Sequence, residues 1–443
     1  MAKRREIYMV ADDFTGSADT ANYFCIGGRK VRVSFDLEKP WDFSRNEQVV
    51  QVFDTESRAI ASDAARKRIY DASQQLVHHG VSHAALYKKV DSTMRGHIGA
   101  EIEALLLGSG RQIALLAPAF PANGRTILNG KLFIDGIGVS QTAFSKDPHS
   151  PITQDDVTGI VQQTTQVPTS LMDLSVIHSG VDAIEHFLAD VGETNVVIVA
   201  DAQTDEDLAV IASVIANDER ILPCGSAGLA RQLAPIWCSP DIEHQPGDLL
   251  DELPACERVV VAVGSANPVA AEQLAYVRSR CQSSEVVMSP PKLAQSSTRS
   301  LAFEQAMHEI AEIDNQILTV SFSKERAVRS DSIPGTFERD LATVVHRYLE
   351  MLKANDEIPV GLVATGGDTA FALCQALSAK AFWPQGELVP GMPWSWLETE
   401  LGMFPIVSKA GGFGTVDALH TAVTALIGQG LPNTAKVQFG DES

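Results

Sequence analysis

The sequence predicts an α/β protein of two domains, each a largely parallel sheet flanked by helices, with the active site in the interdomain cleft. Three observations lead there. Short apolar runs alternate with longer amphipathic ones along most of the chain, the pattern of strands joined by crossover helices. The alternation breaks over residues 236–256, where IWCSPDIEHQPGDLLDELPAC carries three prolines and little periodicity. The strands before that break run into aspartate, and those after it run into glycine.

Taken in order, IYMVA (7–11), VVQVF (49–53), ALYKKV (85–90), IALLAP (113–118) and VVIVA (196–200) read as strands, with helices over 61–79, 97–108 and 204–217. After the break, VVVAVG (259–264), ILTVSF (317–322), VGLVATGG (360–367) and FPIVSKAGG (404–412) are strands, with helices near 267–280, 336–353, 369–380 and 415–428. The domains are therefore expected at 1–235 and 257–443, with 236–256 as the linker.

Composition narrows the function. The 443 residues carry 35 Lys and Arg against 56 Asp and Glu, a net charge of −21. That balance argues against nucleic acid, which needs a basic face, and against an anionic membrane surface. No apolar run reaches the roughly 18 residues of a spanning helix. The basic start MAKRRE leads into an apolar stretch too short for a signal peptide. The six cysteines (25, 224, 238, 256, 281 and 374) form no CxxC, so they are expected as reduced thiols in a cytoplasmic protein. A homodimer is the default assembly.

In open α/β sheets the ligand sits at the carboxyl ends of the strands. Asp12, Asp54, Asp91 and Asp201 end strands of the first half and suit a polyhydroxylated molecule. Gly264, Gly366, Gly367, Gly411 and Gly412 end strands of the second half. There, bare backbone N–H groups at helix starts suit phosphate. A sugar-like molecule beside a nucleotide is the combined expectation.

The motifs refine this. In ADDFTGSAD (11–19), Asp12 is placed to bond a substrate hydroxyl or take its proton, while Asp13 and Ser17 suit helix capping. In KKVDSTMRGH (88–97), two lysines, Asp91, Ser92, Thr93 and Arg95 crowd one strand end, a cluster fitted to a carboxylate-bearing substrate. Alternation puts Lys89 and Asp91 on one face and Lys88 on the other; His97 reads as structural. Arg58, past the strand 49–53, is a candidate for the same cleft, as is Arg125. The run from Gly124 to Lys131 has the wrong spacing for a P-loop, and Asn129 with Gly130 reads as a hairpin turn. Ser265 in GSANP (264–268) precedes an Asn cap and a first-turn proline. ATGGDTA (364–370) offers Gly366, Gly367 and Thr369 to phosphate, with Asp368 as a cap or a Mg²⁺ ligand. SKAGGFG (408–414) offers Gly411 and Gly412, with Lys409 placed to neutralise a phosphoryl group. No GxGxxG, HExxH or GxSxG pattern appears.

ADDFTGSAD, KKVDSTMRG, CGSAGLA (224–230), VGSANP (263–268), ATGGDTA and SKAGGFG occur in this order. From about residue 6 to 430 the chain resembles the four-carbon acid sugar kinase family. The resemblance implies an N-terminal sugar-acid-binding domain, a C-terminal nucleotide-binding domain, and ATP- and Mg²⁺-dependent phosphorylation of D-threonate, D-erythronate, L-threonate or 3-oxo-tetronate at the C4 hydroxyl. It implies that Asp12, Arg58, Lys89, Asp91 and Ser92 contact the acid, and that Ser265, Gly366, Gly367, Asp368 and Gly411 contact ATP. Lys89 and Arg58 are expected to grip the carboxylate, with Asp12 as base and Asp91 second. The alternatives are a sensor that binds both ligands without turnover and a nicotinamide-dependent reductase.

Overall fold

The computed structural model describes residues 6–26, 28–35, 49–79, 84–147, 150–192, 195–238, 253–323, 336–355, 358–389 and 391–429. The chain divides into two compact units, Met1–His244 and Gln245–Ser443. Most of the expected linker, 239–252, lies outside the described residues, but its ends are packed: Trp237 is 5% exposed and Cys256 4%.

The first unit contains β1 (Ile7–Ala11), β2 (Lys30–Ser34), β3 (Val49–Asp54), β4 (Ala85–Lys89), β5 (Ile113–Ala117), β6 (Arg125–Leu128), β7 (Lys131–Ile134), β8 (Ile137–Gly138), β9 (Thr169–Met172), β10 (Val196–Ala200) and β11 (Ile221–Gly225). Its main sheet runs β2-β3-β1-β4-β11-β5-β10-β9, with every pair parallel. Helices on both faces explain why β1, β3, β4, β5, β10 and β11 are buried along their whole length. The order has a consequence for function. From β1 the chain moves to β2 and β3 on one side, then crosses to β4 on the other. That reversal opens a crevice at the carboxyl ends of β1 and β4.

β6 and β7 form the expected hairpin. Asn129 and Gly130 both take positive φ, 52° and 70°, as a type I′ turn requires. The carboxylate of Asp201 accepts both of their N–H groups, at 2.7 and 2.8 Å. Asp201 was expected as a ligand acceptor at a strand end; it is instead occupied in holding this turn. Arg125 bonds the carbonyl of Asn123 at the base of the same hairpin.

The second unit contains β12 (Arg258–Val263), β13 (Ser283–Met288), β14 (Ile317–Phe322), β15 (Val360–Thr365), β16 (Ala381–Glu387), β17 (Pro393–Thr399) and β18 (Gly402–Lys409), in the order β13-β14-β12-β15-β18-β17-β16. The first five in that order pair in parallel, while β18, β17 and β16 form an antiparallel meander. Here too the chain reverses, between β12 and β15. The core packs Val259, Val261 and Val263 of β12 against Trp394 of β17 and the helix Ala418–Leu426.

Lys88 shows how tightly the first sheet is built. It is wholly buried, donates to Lys89 O at 2.9 Å, and pairs with Glu101 of the helix Ile98–Ser109 at 2.8 Å. Glu101→Ala is expected to cost about 3–5 kcal/mol, because it strands a buried cation. Adding Lys88→Met should recover most of that loss in urea denaturation.

Candidate functional site

The site of the first unit forms because one loop is stitched to another. After β3, Thr55 Oγ1 donates to Ala11 O at 2.7 Å, and the N–H groups of Ser57 and Arg58 donate to Asp12 O at 3.0 and 3.2 Å. These bonds bring Arg58 over the end of β1. Its Nε donates to Asp12 Oδ2 at 2.7 Å, its two Nη groups grip both oxygens of Asp13 at 2.7 and 2.8 Å, and Asp91 Oδ1 lies 3.6 Å away. Asp13 also accepts Gly16 N–H at 3.1 Å, capping the helix Phe14–Ile26. Two glycines make room: a Cβ on Gly96 (φ 97°) would lie 3.3 Å from Asp12 Oδ2, and one on Gly16 would lie 2.6 Å from Lys89 Nζ.

Lys89 is 5% exposed and donates to Val90 O at 2.8 Å. Asp91 holds a tight turn, accepting from Thr93 Oγ1 and N and, at 3.0 Å to each oxygen, from Arg95. Arg95 reaches on to Asp147 at 3.3 Å and lies over the Phe144 ring, 5.3 Å from its centre. Ser92 is half-buried beside this turn. His97 bonds Ile60 O at 2.6 Å and precedes the helix Ile98–Ser109, the structural role expected for it. The arrangement thus brings Asp12, Arg58 and Asp91 together, with Lys89 and Arg95 next to them.

The electrostatics sort these carboxylates. Burial pushes Asp12 up, but Arg58, Lys88 and Lys89 more than reverse it, so it is held below its ordinary value. Burial likewise opposes ionisation of Asp91, yet Arg58 and Arg95 hold it far below the usual range. Asp13 is pushed up to about 6 by burial and the charge of Asp12, and Glu56 to about 7 by burial and Asp13. Asp54, beneath them, is raised well above its ordinary value by burial and Glu56. Glu56 adopts a left-handed φ of 44° and accepts Phe14 N–H at 3.0 Å. Its carboxyl binds a proton in the fold that the unfolded chain releases near 4.5, so this group loses stability as pH rises from about 4.5 to 7. Glu56→Gln should remove that slope and add about 1–2 kcal/mol above neutrality, which denaturation across that pH range would read.

In the second unit, three strand ends meet. A Cβ on Gly411 would overlap Ser265 Oγ, one on Gly412 would lie 2.7 Å from Asn267 Nδ2, and one on Gly264 would overlap Thr369 Oγ1. Gly366 takes a φ of 102° and donates to Lys409 O at 2.9 Å. Ser265 Oγ accepts Asn267 N–H at 3.2 Å, and Asn267 caps the helix Pro268–Arg280 through Val269 N at 2.9 Å. Gly367 opens the helix Gly367–Ala376, two residues earlier than expected, which puts Asp368, exposed, in its first turn and Thr369, buried, behind it. Lys409 is 4% exposed, donates to Ala410 O at 2.8 Å, and makes no ion pair among the described residues. Burial lowers it to about 8.

Two family models match the chain, one within each unit. A family model described as a sugar-binding N-terminal domain matches residues 7–233, and one described as a nucleotide-binding C-terminal domain matches 260–419. The chain is 30% identical to a D-threonate kinase of Salmonella typhimurium, over 94% of this chain and 97% of the relative. The chain belongs to the four-carbon acid sugar kinase family. Within the family it is also similar to a D-erythronate kinase of Heliobacterium modesticaldum (26%, covering 95% and 97%) and a 3-oxo-tetronate kinase of Pseudomonas fluorescens (28%, covering 95% and 96%). A solved Haemophilus influenzae protein shares the fold, with a TM-score of 0.72 at 21% identity over 95% of this chain and all of that one. Among the described residues no helix is long and apolar enough to cross a membrane.

Sequence reasoning missed several neighbours of this family member's candidate site. Asp147 and Phe144 reach Arg95 across about fifty positions of sequence. Glu338 lies with its Cγ 3.4 Å from where a Cβ on Gly264 would stand, and burial and the charge of Asp368 raise its carboxyl. Neither carries a local motif. Only Glu56, inside the DTESR run, had a signal that was available and unused.

Proposed function

We propose that this chain transfers the γ-phosphoryl group of ATP to the C4 hydroxyl of a four-carbon sugar acid: D-threonate, D-erythronate or 3-oxo-tetronate. The observation that carries the reading is Lys409, a buried cation without a carboxylate partner among the described residues, standing where three glycine-bearing strand ends meet. A polyphosphate supplies the charge such a lysine lacks.

On this reading the first unit holds the acid. Arg58 uses three of its N–H donors on Asp12 and Asp13, which leaves two for the substrate carboxylate alongside Lys89. Asp12 Oδ1 is buried with no partner among the described residues, and it receives the reacting hydroxyl. The hydroxyl oxygen attacks phosphorus in line, the bond from phosphorus to the β,γ-bridging oxygen breaks, and the proton passes to Asp12. A weak base suffices, because a loose transition state needs that proton removed only late. Asp91, expected as a second base, is better read as a positioning group: both of its oxygens are taken by Arg95 and Thr93. Ser92 and Arg95 complete the acid's contacts.

Ser265, Gly366, Gly367, Thr369, Gly411 and Gly412 surround the nucleotide on this reading, with Lys409 at the transferring group. Asp368 would hold Mg²⁺, directly or through water, and the raised carboxyl of neighbouring Glu338 fits a place that a cation would relieve. Mg²⁺ supplies neutralisation of phosphate charge when bound. The six cysteines stand as thiols outside any disulfide, which supports a cytoplasmic setting, and a homodimer is the assembly we expect in light scattering.

An ADP-release assay with ATP, Mg²⁺ and a panel of threonates, erythronates and 3-oxo-tetronate, beside matched aldoses, tests the proposal. Turnover on one acid and none on the aldoses is the expected result. Binding of acid and nucleotide with no turnover would replace the kinase with the sensor reading.

A further inference from the structure

We propose that Gln273, which is outside the expected site, is the positioning residue of the loop that follows Lys409. The inference rests on the nucleotide reading of the second unit. Gln273 sits in the helix Pro268–Arg280 and is 0% exposed. Its Nε2 lies 2.9 Å from Phe413 O, 3.2 Å from Gly414 O and 2.8 Å from Thr415 O. Three carbonyls can face only a donor, so the amide orientation is dictated, and its two hydrogens serve three acceptors, with Gly414 O as the shared one. The other end, Oε1, is buried without a partner among the described residues. A methionine would fill the same space without that desolvated oxygen, so packing alone does not account for an amide here.

The effect on the loop follows from peptide geometry. In a trans peptide the N–H points opposite to the preceding C=O. Drawing in the carbonyls of Phe413, Gly414 and Thr415 therefore turns the N–H groups of Gly414, Thr415 and Val416 outward. None of these three makes a backbone hydrogen bond among the described residues, and all three residues are exposed. A Cβ on Gly414 would lie 4.0 Å from Lys409 Cε, so this row of donors adjoins the buried cation. Gln273 touches no ligand; it sets the donor row that a polyphosphate meets.

The test compares Gln273→Met, Gln273→Glu and Lys409→Met with the parent. It measures ATP binding by calorimetry, KM for ATP and for the acid, and thermal stability. Gln273→Met should weaken ATP binding and raise KM for ATP roughly tenfold or more while KM for the acid stays within about twofold. Gln273→Glu sets an acceptor against three carbonyls. It should bind ATP poorly near pH 8 and recover in part near pH 5.5, where the introduced carboxyl carries a proton to donate. A purely structural glutamine would lower stability and leave ATP affinity and its pH dependence unmoved, and that result would overturn the proposal. If Gln273→Met does not fold, the pH series on Gln273→Glu decides. If the parent binds no ATP by calorimetry, or Lys409→Met changes neither ATP affinity nor kcat, the nucleotide reading itself fails, and the role of Gln273 fails with it.

Discussion

Arg58→Ala is expected to lower kcat/KM for the sugar acid by about 10³-fold or more and to destabilise the protein by about 3–5 kcal/mol. The size of the effect comes from what the guanidinium neutralises. Asp12 and Asp13 bond it directly and Asp91 lies 3.6 Å away, so its removal leaves three carboxylates crowded, with Lys88, Lys89 and Arg95 left to offset them. Asp12, now held below its ordinary value, would titrate upward and stop presenting a charged acceptor to the substrate. Arg58→Ala combined with Asp13→Asn separates the two roles. Removing one negative charge should restore part of the stability in urea denaturation, while activity stays lost. Activity within threefold of the parent in the single variant would remove Arg58 from the site.

Lys409→Met should move activity and stability in opposite directions. We expect kcat to fall by about 10²–10³-fold, the usual cost of deleting one group aimed at developing charge. Stability should hold or improve, because the variant replaces a buried ammonium that has no ion pair among the described residues with an apolar chain of similar length. The pH dependence has a definite sign. Burial lowers this lysine from 10.5 to about 8. Between those values the unfolded chain holds a proton that the fold does not, so stability through this group rises with pH across the window. Lys409→Met should erase that rise. Nucleotide binding near pH 8 should draw in a proton, visible as a buffer-dependent binding enthalpy that the variant lacks.

Much of this was legible because parallel sheets are demanding. A strand buried on both faces must be an apolar run, and IYMVA, IALLA and VVIVA could be little else. The carboxyl ends of such strands are where a crevice opens, so Asp12, Asp91, Gly366 and Gly411 stood out. The elements missed are those whose pattern is weak or mixed. β2, KVRVS, alternates charged with apolar residues, and β17, PWSWLET, begins on proline and belongs to an antiparallel meander. Partnership was less legible than position. Asp201 sits at a strand end just as Asp12 does, yet one faces a hairpin turn and the other an arginine. Gln273 meets a loop some 140 residues away, a relation no local pattern encodes.

The strand order of the first unit also has a temporal meaning. β4, which leads into Asp91 and Arg95, pairs on one side with β11, whose Cys224 and Gly225 lie opposite Lys88 and Lys89. β11 likewise supplies the partner of β5. On a ribosome, β4 and β5 emerge more than a hundred residues before the strand that belongs between them. Until it arrives, two apolar edges stand open to each other and to neighbouring chains. Completion of the sheet beside Asp91 and Arg95 is therefore a late event in biosynthesis, and chain ends released before residue 221 should be the aggregation-prone products of interrupted translation.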